Sequence, residues 1–77
     1  MTSENTYKVI ELVGSSPESV EKAIESAIGR ASQTLQHLDW FEVKEIRGYI
    51  KEDKVGWYQV KLGLGFRVLE PDELSRD

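Results

Sequence analysis

Apolar and polar residues alternate most regularly near the end of the chain, from Val55 to Val68, and this period of two predicts a β-strand. From Tyr58 onward the even-numbered positions of this segment are apolar, and most of its odd-numbered positions are polar or glycine. One face of the strand is therefore expected to be packed and the other open. An earlier segment, Tyr7–Val13, is rich in β-branched residues and predicts another strand, which is expected to end at Gly14.

A third alternating segment, Trp40–Ile50, changes its phase midway. Phe41 and Val43 share one face of the predicted strand, but Ile46 falls on the polar face. A β-bulge near Lys44–Glu45 would restore the phase. A short polar turn separates this strand from the next, so the two are predicted to form a hairpin.

Between the first two strands the spacing of apolar residues changes to three and four, which predicts a helix from Pro17 to about Gln36. Ser16 is the expected N-cap with Pro17 at the first helical position, and Ser15 with Glu18 is an alternative capping box. His37 is expected at the helix end, where a cation is favoured. The apolar stripe is rich in alanine and so allows close packing on a sheet. It consists of Val20, Ala23, Ile24, Ala27, Ile28, Ala31 and Leu35.

The order of elements is β-α-β-β, which predicts an α+β fold with one helix on one face of a three-stranded antiparallel sheet. We expect residues 1–77 to form a single domain, with an ordered core over about 6–69 and flexible tails at 1–5 and 71–77.

Composition excludes several classes of protein. The chain has no cysteine and one histidine, which argues against disulfides, thiolate metal sites and zinc sites built from histidine pairs. No apolar run is long enough to cross a bilayer, and the N-terminus lacks the pattern of a secretory signal. The net charge of −4, with no basic block, argues against nucleic acid. These features predict a cytoplasmic protein without a metal, membrane or nucleic-acid partner.

The small size of the chain favours assembly. At 77 residues, a chain without disulfides or a metal buries little apolar surface by itself. We therefore expect an oligomer.

The sequence carries no hydrolase, kinase or dinucleotide-binding signature. Gly63-Leu64-Gly65 lies inside a predicted strand and is not a phosphate loop. We interpret it as a bare surface that another backbone or a ligand approaches closely.

Trp40 is the most informative residue, because the alternation places it on the sheet face away from the helix, together with Gln59. A tryptophan there is either covered by another subunit or used to stack against a planar ring. The Gln59 amide could then read the edge of such a ring, for example an imide. Arg47 and Arg67 could bind a phosphate, or could be solvated or interface charges.

At these residues the sequence closely resembles the dodecins, over about Tyr7 to Leu69. The combination of DWFEV and EIRG is specific and resembles the bacterial branch of that family. The similar segments are YKVIELVG at 7–14, LDWFEV at 38–43, EIRG at 45–48, YQV at 58–60 and GFR at 65–67.

The resemblance implies a β-α-β-β subunit that assembles into a hollow homododecamer of cubic symmetry. It also implies flavin binding without catalysis. In such proteins flavins stack in pairs near two-fold axes, between tryptophans of neighbouring subunits. Some bacterial members also bind coenzyme A, which makes it a second candidate ligand.

Matched residue by residue, the resemblance implies that Trp40 stacks on the flavin and Gln59 contacts the ring edge. Arg47 matches an arginine linked to the ligand site, and Arg67 matches a second arginine. Glu45 aligns with an acidic position near the flavin in archaeal members. Trp57 departs from the family pattern.

We therefore expect storage, buffering and photochemical quenching of FMN or riboflavin, with FMN favoured slightly by the arginines. An enzyme is not expected, since a flavin covered on both faces leaves no room for a substrate. The alternative is a structural or protein-interaction module without flavin, in which another subunit covers Trp40.

Overall fold

A computed structural model describes residues 5–69. It contains β1 (Thr6–Ser16), α1 (Val20–Ala31), β2 (Leu38–Lys51) and β3 (Lys54–Val68). The strands form one antiparallel sheet in the order β1-β3-β2. The predicted α+β architecture is therefore confirmed. The tails predicted at 1–5 and 71–77 lie outside the described residues, apart from Asn5.

The core lies between α1 and the even-numbered positions of β3, as the alternation predicted. Three alanines, each four residues from the next, form the buried stripe of the helix. A Cβ built on Gly14 of β1 would overlap the carbonyl oxygen of Ala23. Small residues on both sides therefore bring the helix very close to the sheet. The core residues are Ala23, Ala27, Ala31, Val60, Leu62 and Leu64.

The start of the helix differs from the prediction. β1 does not end at Gly14 but continues to Ser16, because β3 is long enough to pair with it as far as Tyr58. The N-cap is Ser19, whose hydroxyl accepts a hydrogen bond from the Lys22 N–H at 3.0 Å. Ser16 Oγ instead accepts from the Glu18 N–H at 3.0 Å. Ser16 therefore shapes the turn that contains Pro17, rather than capping the helix.

The helix also ends earlier than Gln36, at Ala31. Ser32 is the C-cap, and its hydroxyl donates to the Gly29 carbonyl at 2.8 Å. His37 lies in the connection to β2 with a left-handed backbone (φ 65°), and its carbonyl accepts from the Arg67 N–H at 3.1 Å. The prediction that His37 lies at the helix end is therefore wrong.

The predicted bulge in β2 is confirmed. The register shifts between Val43 and Glu45, which leaves Lys44 without a pairing partner. Because of this shift Ile46 pairs with Val60 and returns to the side of the sheet that faces α1. The hairpin turn follows at Glu52 and Asp53, which both have positive φ angles, as a type I′ turn requires.

The side of β2 that faces α1 is not covered within the protomer, because the helix packs on β1 and β3. The described residues extend 57 × 21 × 14 Å with a radius of gyration of 16.1 Å. A compact chain of this length would have a radius of gyration of about 11 Å. The protomer is thus elongated and leaves apolar side chains exposed on β2. They are Phe41, Val43, Ile46 and Ile50, which are 47%, 42%, 56% and 84% exposed.

Candidate functional site

Trp40 lies on the sheet face opposite α1, as predicted; we call this side of the sheet the open face. It pairs with Gly65, whereas the next residue, Phe41, pairs with the core residue Leu64. A Cβ built on Gly65 would overlap indole atoms Cδ2, Cε2 and Cζ2. The indole therefore rests on the backbone of Gly65, and Trp40 stays 40% exposed. Gly65 is therefore closely approached, but by the Trp40 side chain of the same protomer and not by the other backbone or ligand that the sequence interpretation expected.

Tyr7 of β1 reaches across the middle strand to Trp40. The two rings are tilted by 60°, with centroids 6.2 Å apart. The pKa of Tyr7 is raised above its ordinary value of 10.0, first by a hydrogen bond to the Asp39 carboxylate and then by desolvation and the Asp39 charge. The positive charge of Arg67, which pairs with Tyr7 across the strands, acts in the opposite direction. We call Tyr7, Asp39, Trp40, Gly65 and Arg67 the Trp40 group.

Sequence reasoning missed Tyr7 and Asp39. Tyr7 belongs to the strand on the far side of β3, and only the strand order shows that it can reach Trp40. Asp39 is the residue skipped where the register shifts between Leu38 and Trp40. No signal in the sequence indicated the irregularity at Asp39.

A second group of polar side chains lies on the same open face. Arg47 pairs with Gln59, and its Nε donates a hydrogen bond to Gln59 Oε1 at 3.1 Å. Gln59 Nε2 in turn donates to the Tyr49 hydroxyl at 3.2 Å. We call these three residues the Gln59 group. The structure thus brings Arg47 and Gln59 into contact, and Tyr49 is a member that sequence reasoning did not identify.

The two groups are far apart within one protomer. Gly65, beneath the indole, is six residues from Gln59 along β3, which corresponds to roughly 20 Å at about 3.4 Å per residue. Arg67 is eight residues from the pairing partner of Arg47, or roughly 27 Å. A small planar ligand cannot touch both groups of one chain, so neither group alone contains all the predicted site residues.

Glu45 lies between the two groups, opposite Lys61 on the open face. Ion pairs lie nearby: Lys44 Nζ of β2 is 3.5 Å from a Glu11 carboxylate oxygen of β1, and Lys61 Nζ of the middle strand is 3.8 Å from the other. These side chains are 38–50% exposed, so each pair stabilises the fold by at most about 1 kcal/mol. We interpret this middle section as a solvated strip.

Other kinds of site receive little support from the described residues. A cavity of about 510 Å³ between β1 and α1 is lined by none of the predicted binding residues. Within residues 5–69 no group of three histidine, aspartate or glutamate side chains is placed to hold a metal ion. The helix in this part of the chain is too short and too polar to span a bilayer.

Comparison with known proteins agrees with the fold. The family model for Dodecin matches residues 6–69. The chain belongs to the dodecin family. A dodecin from Thermus thermophilus is 61% identical over 64 residues, which cover 83% of this chain and 93% of the relative.

Solved dodecin structures are also similar. A dodecin from Streptomyces coelicolor superposes with a TM-score of 0.82 at 52% identity, covering 90% of this chain and 99% of that one. The calcium dodecin from Mycobacterium tuberculosis, whose structure has a calcium-binding site, gives a TM-score of 0.72 at 29% identity over 86% of this chain and 94% of that one. The β-α-β-β subunit is therefore shared across this range of dodecin sequences.

Proposed function

We propose that the chain binds flavin without catalysing a reaction and serves to store, buffer and photochemically quench FMN or riboflavin. In this proposal twelve copies form a hollow shell in the cytoplasm, and flavins stack in pairs between the Trp40 side chains of two-fold related copies. The observation that carries the proposal is the Trp40 indole, which rests on Gly65 and remains open on the sheet face away from the helix.

An indole in this position suits a planar ligand. The backbone of Gly65 supports one side of the ring system, so little freedom is lost when a second ring stacks on the exposed side. Stacking of two aromatic systems contributes about 0.5–1.5 kcal/mol beyond the area buried. Family membership supports the same ligand class, because the sequence matched the dodecin pattern at this tryptophan.

A second copy would complete the site. The Trp40 and Gln59 groups of one chain cannot reach the same ring, so a ligand stacked on Trp40 would meet the Gln59 of another copy. A two-fold axis pairs identical surfaces and would give each of two ligands the same surroundings. The exposed apolar side of β2 and the elongated shape of the protomer also support assembly.

Quenching needs few protein groups. A bound flavin would supply a strong oxidant on excitation, and Trp40 in van der Waals contact with it would donate an electron and take it back. The cycle leaves no net product and requires no acid, base or metal. The proposal is therefore compatible with a site made of an indole, an amide and arginines.

The phosphate of FMN could be bound by one arginine from each of two copies, because Arg47 and Arg67 of one chain are too far apart to share it. Coenzyme A also carries phosphates and remains a second candidate ligand. Competition between coenzyme A and FMN during titration would test whether they share a site.

The central experiment compares two tryptophans on the open face. Trp40 and Trp57 are similarly exposed, at 40% and 43%, so Trp57→Ala is a matched control for Trp40→Ala. We expect Trp40→Ala to weaken riboflavin affinity by about 1–3 kcal/mol, the usual effect of losing a stacking platform, and to reduce quenching. Trp57→Ala should leave quenching near wild type; only its quenching serves as the control, because Trp57 pairs with Tyr49 beside Gln59. Equal quenching and affinity in Trp40→Ala and wild type would refute the stacking role.

Light scattering tests the assembly. Twelve chains of 8.8 kDa have a mass of about 106 kDa, and we expect that mass at micromolar concentration. A monomer mass would rule out the composite site. A dodecamer that fails to quench added flavin would instead support an interaction module, for which the apolar side of β2 is the relevant observation.

A further inference from the structure

The side-chain amide of Gln59 is held at both ends. A guanidinium can only donate hydrogen bonds, so the Gln59 oxygen must face Arg47, whose Nε lies 3.1 Å away. The amide nitrogen is then left to face Tyr49, whose hydroxyl oxygen accepts from it at 3.2 Å. Arg47 therefore decides which way round the amide lies, and Tyr49 fixes its other end.

The bulge at Lys44 makes this arrangement possible. It reverses the phase of β2, so the odd-numbered residues after it share the open face with Gln59. Arg47 is directly opposite Gln59, and Tyr49 is its diagonal neighbour, since it pairs with Trp57. Tyr49 is 57% exposed. The Tyr49 side chain therefore contributes little to the core. On the open face, it accepts the hydrogen bond from Gln59.

We infer that Tyr49 is a positioning residue, which together with Arg47 holds the Gln59 amide in one orientation for a ligand edge rich in hydrogen-bond acceptors. This inference rests on the proposed function, in which Gln59 contacts the edge of a flavin. The ligand it fits is a ring with exposed carbonyl groups.

The remaining hydrogen-bonding capacity explains the preference for acceptors. Gln59 retains one N–H and Arg47 retains the N–H groups of its terminal nitrogens, whereas the Gln59 oxygen, which accepts from Arg47 Nε, keeps one further lone pair. Donors thus predominate at this end of the open face. Because the glutamine is ordered before a ligand arrives, less conformational freedom is lost on binding.

The test is a double-mutant cycle with riboflavin as the probe. Tyr49→Phe removes the hydroxyl and keeps the ring, and we expect about 3- to 10-fold weaker binding, the range for loss of one hydrogen bond. Tyr58→Phe makes the same change on the opposite side of the sheet and should leave the dissociation constant unchanged. In a Gln59→Ala background, Tyr49→Phe should cause no further loss, because Tyr49 acts through the amide.

The outcomes separate this inference from the proposed function. Riboflavin binding by wild type with equal affinity in Tyr49→Phe would overturn the role of Tyr49 and leave the proposed function intact. The same loss from Tyr49→Phe with and without Gln59 would show that Tyr49 acts independently of the amide, which also overturns the inference. No riboflavin binding by wild type would overturn both. An unchanged melting temperature in Tyr49→Phe would support the expected local effect.

Discussion

Gly65→Ala is the substitution that most directly tests how the indole is supported. A methyl group at this position would occupy the space of three indole ring atoms. The backbone of β3 is paired on both sides and cannot move away easily. Trp40 is an edge-strand residue with an exposed side chain, so we expect the indole to rotate off its support.

The magnitude follows from the covered area of Trp40. The residue is 40% exposed, so about 150 Å² of a side chain of roughly 250 Å² is covered. At about 25 cal/mol per Å², complete loss of this cover would correspond to about 4 kcal/mol. Because some contacts will re-form after rotation, we expect the free energy of unfolding to fall by about 1–3 kcal/mol, the usual effect of overpacking. We expect a loss of affinity for riboflavin of about 10- to 100-fold, since a rotated indole no longer presents the same face.

The assay uses a Trp57→Phe background, in which Trp40 is the remaining tryptophan of the chain. Gly65→Ala should shift the Trp40 emission to longer wavelength and weaken riboflavin quenching. Gly63→Ala is the matched control, on the same strand and face. A Cβ there would lie 3.0 Å from Lys44 Cε, which belongs to a flexible side chain that can move aside.

Unchanged Trp40 emission together with wild-type affinity in Gly65→Ala would show that the indole does not depend on the bare backbone of that residue. Equal losses in Gly63→Ala and Gly65→Ala would point instead to a general effect of glycine replacement in β3. Either result would refute the reasoning.

Two further predictions concern stability. Gly14→Ala should destabilise the fold by about 1–3 kcal/mol or more, because the methyl group meets the fixed carbonyl of Ala23; a denaturation midpoint equal to that of wild type would contradict this packing. Tyr7 should ionise above its ordinary pKa of 10.0, so its contribution to stability is fully present below about pH 10 and is lost as the pH rises through the folded-state pKa. Asp39→Asn should lower that pKa, as followed by tyrosinate absorbance with Tyr7→Phe as the blank, and an unchanged titration would contradict the assigned cause.

The faces of Trp40 and Gln59 could be predicted because alternation depends on local geometry alone. The apolar period of β3 fixed the side of Gln59, and the misplaced Ile46 revealed the bulge in β2. The face does not give the position along the strand, however. Trp40 and Gln59 were therefore expected on one surface without any sign that they lie roughly 20 Å apart, a distance that only the strand register shows.

The helix start could not be predicted because several serines precede it. Ser15, Ser16 and Ser19 all have the side chain of an N-cap, and Pro17 made the earlier choice attractive. The helix start is determined by β3, because β3 pairs with β1 as far as Tyr58 and so keeps Ser16 in the sheet. A long-range strand pairing thus overrides a local capping signal, and single-sequence reasoning does not include that competition.

Gly63 and Gly65 of β3 explain why the open face has its aromatic and charged sections where it does. β3 lies between β1 and β2, so side chains from the outer strands can meet only where the middle strand has none. Over Gly65 the gap is filled by Tyr7 and Trp40, and over Gly63 it is crossed by the Glu11–Lys44 ion pair. Where β3 carries the Gln59 side chain, side chains of the two outer strands cannot meet above it. Arg47 and Tyr49 of β2 form hydrogen bonds to Gln59 instead. The stacking surface is therefore expected at the Gly65 end, and the hydrogen-bonding surface at the other end.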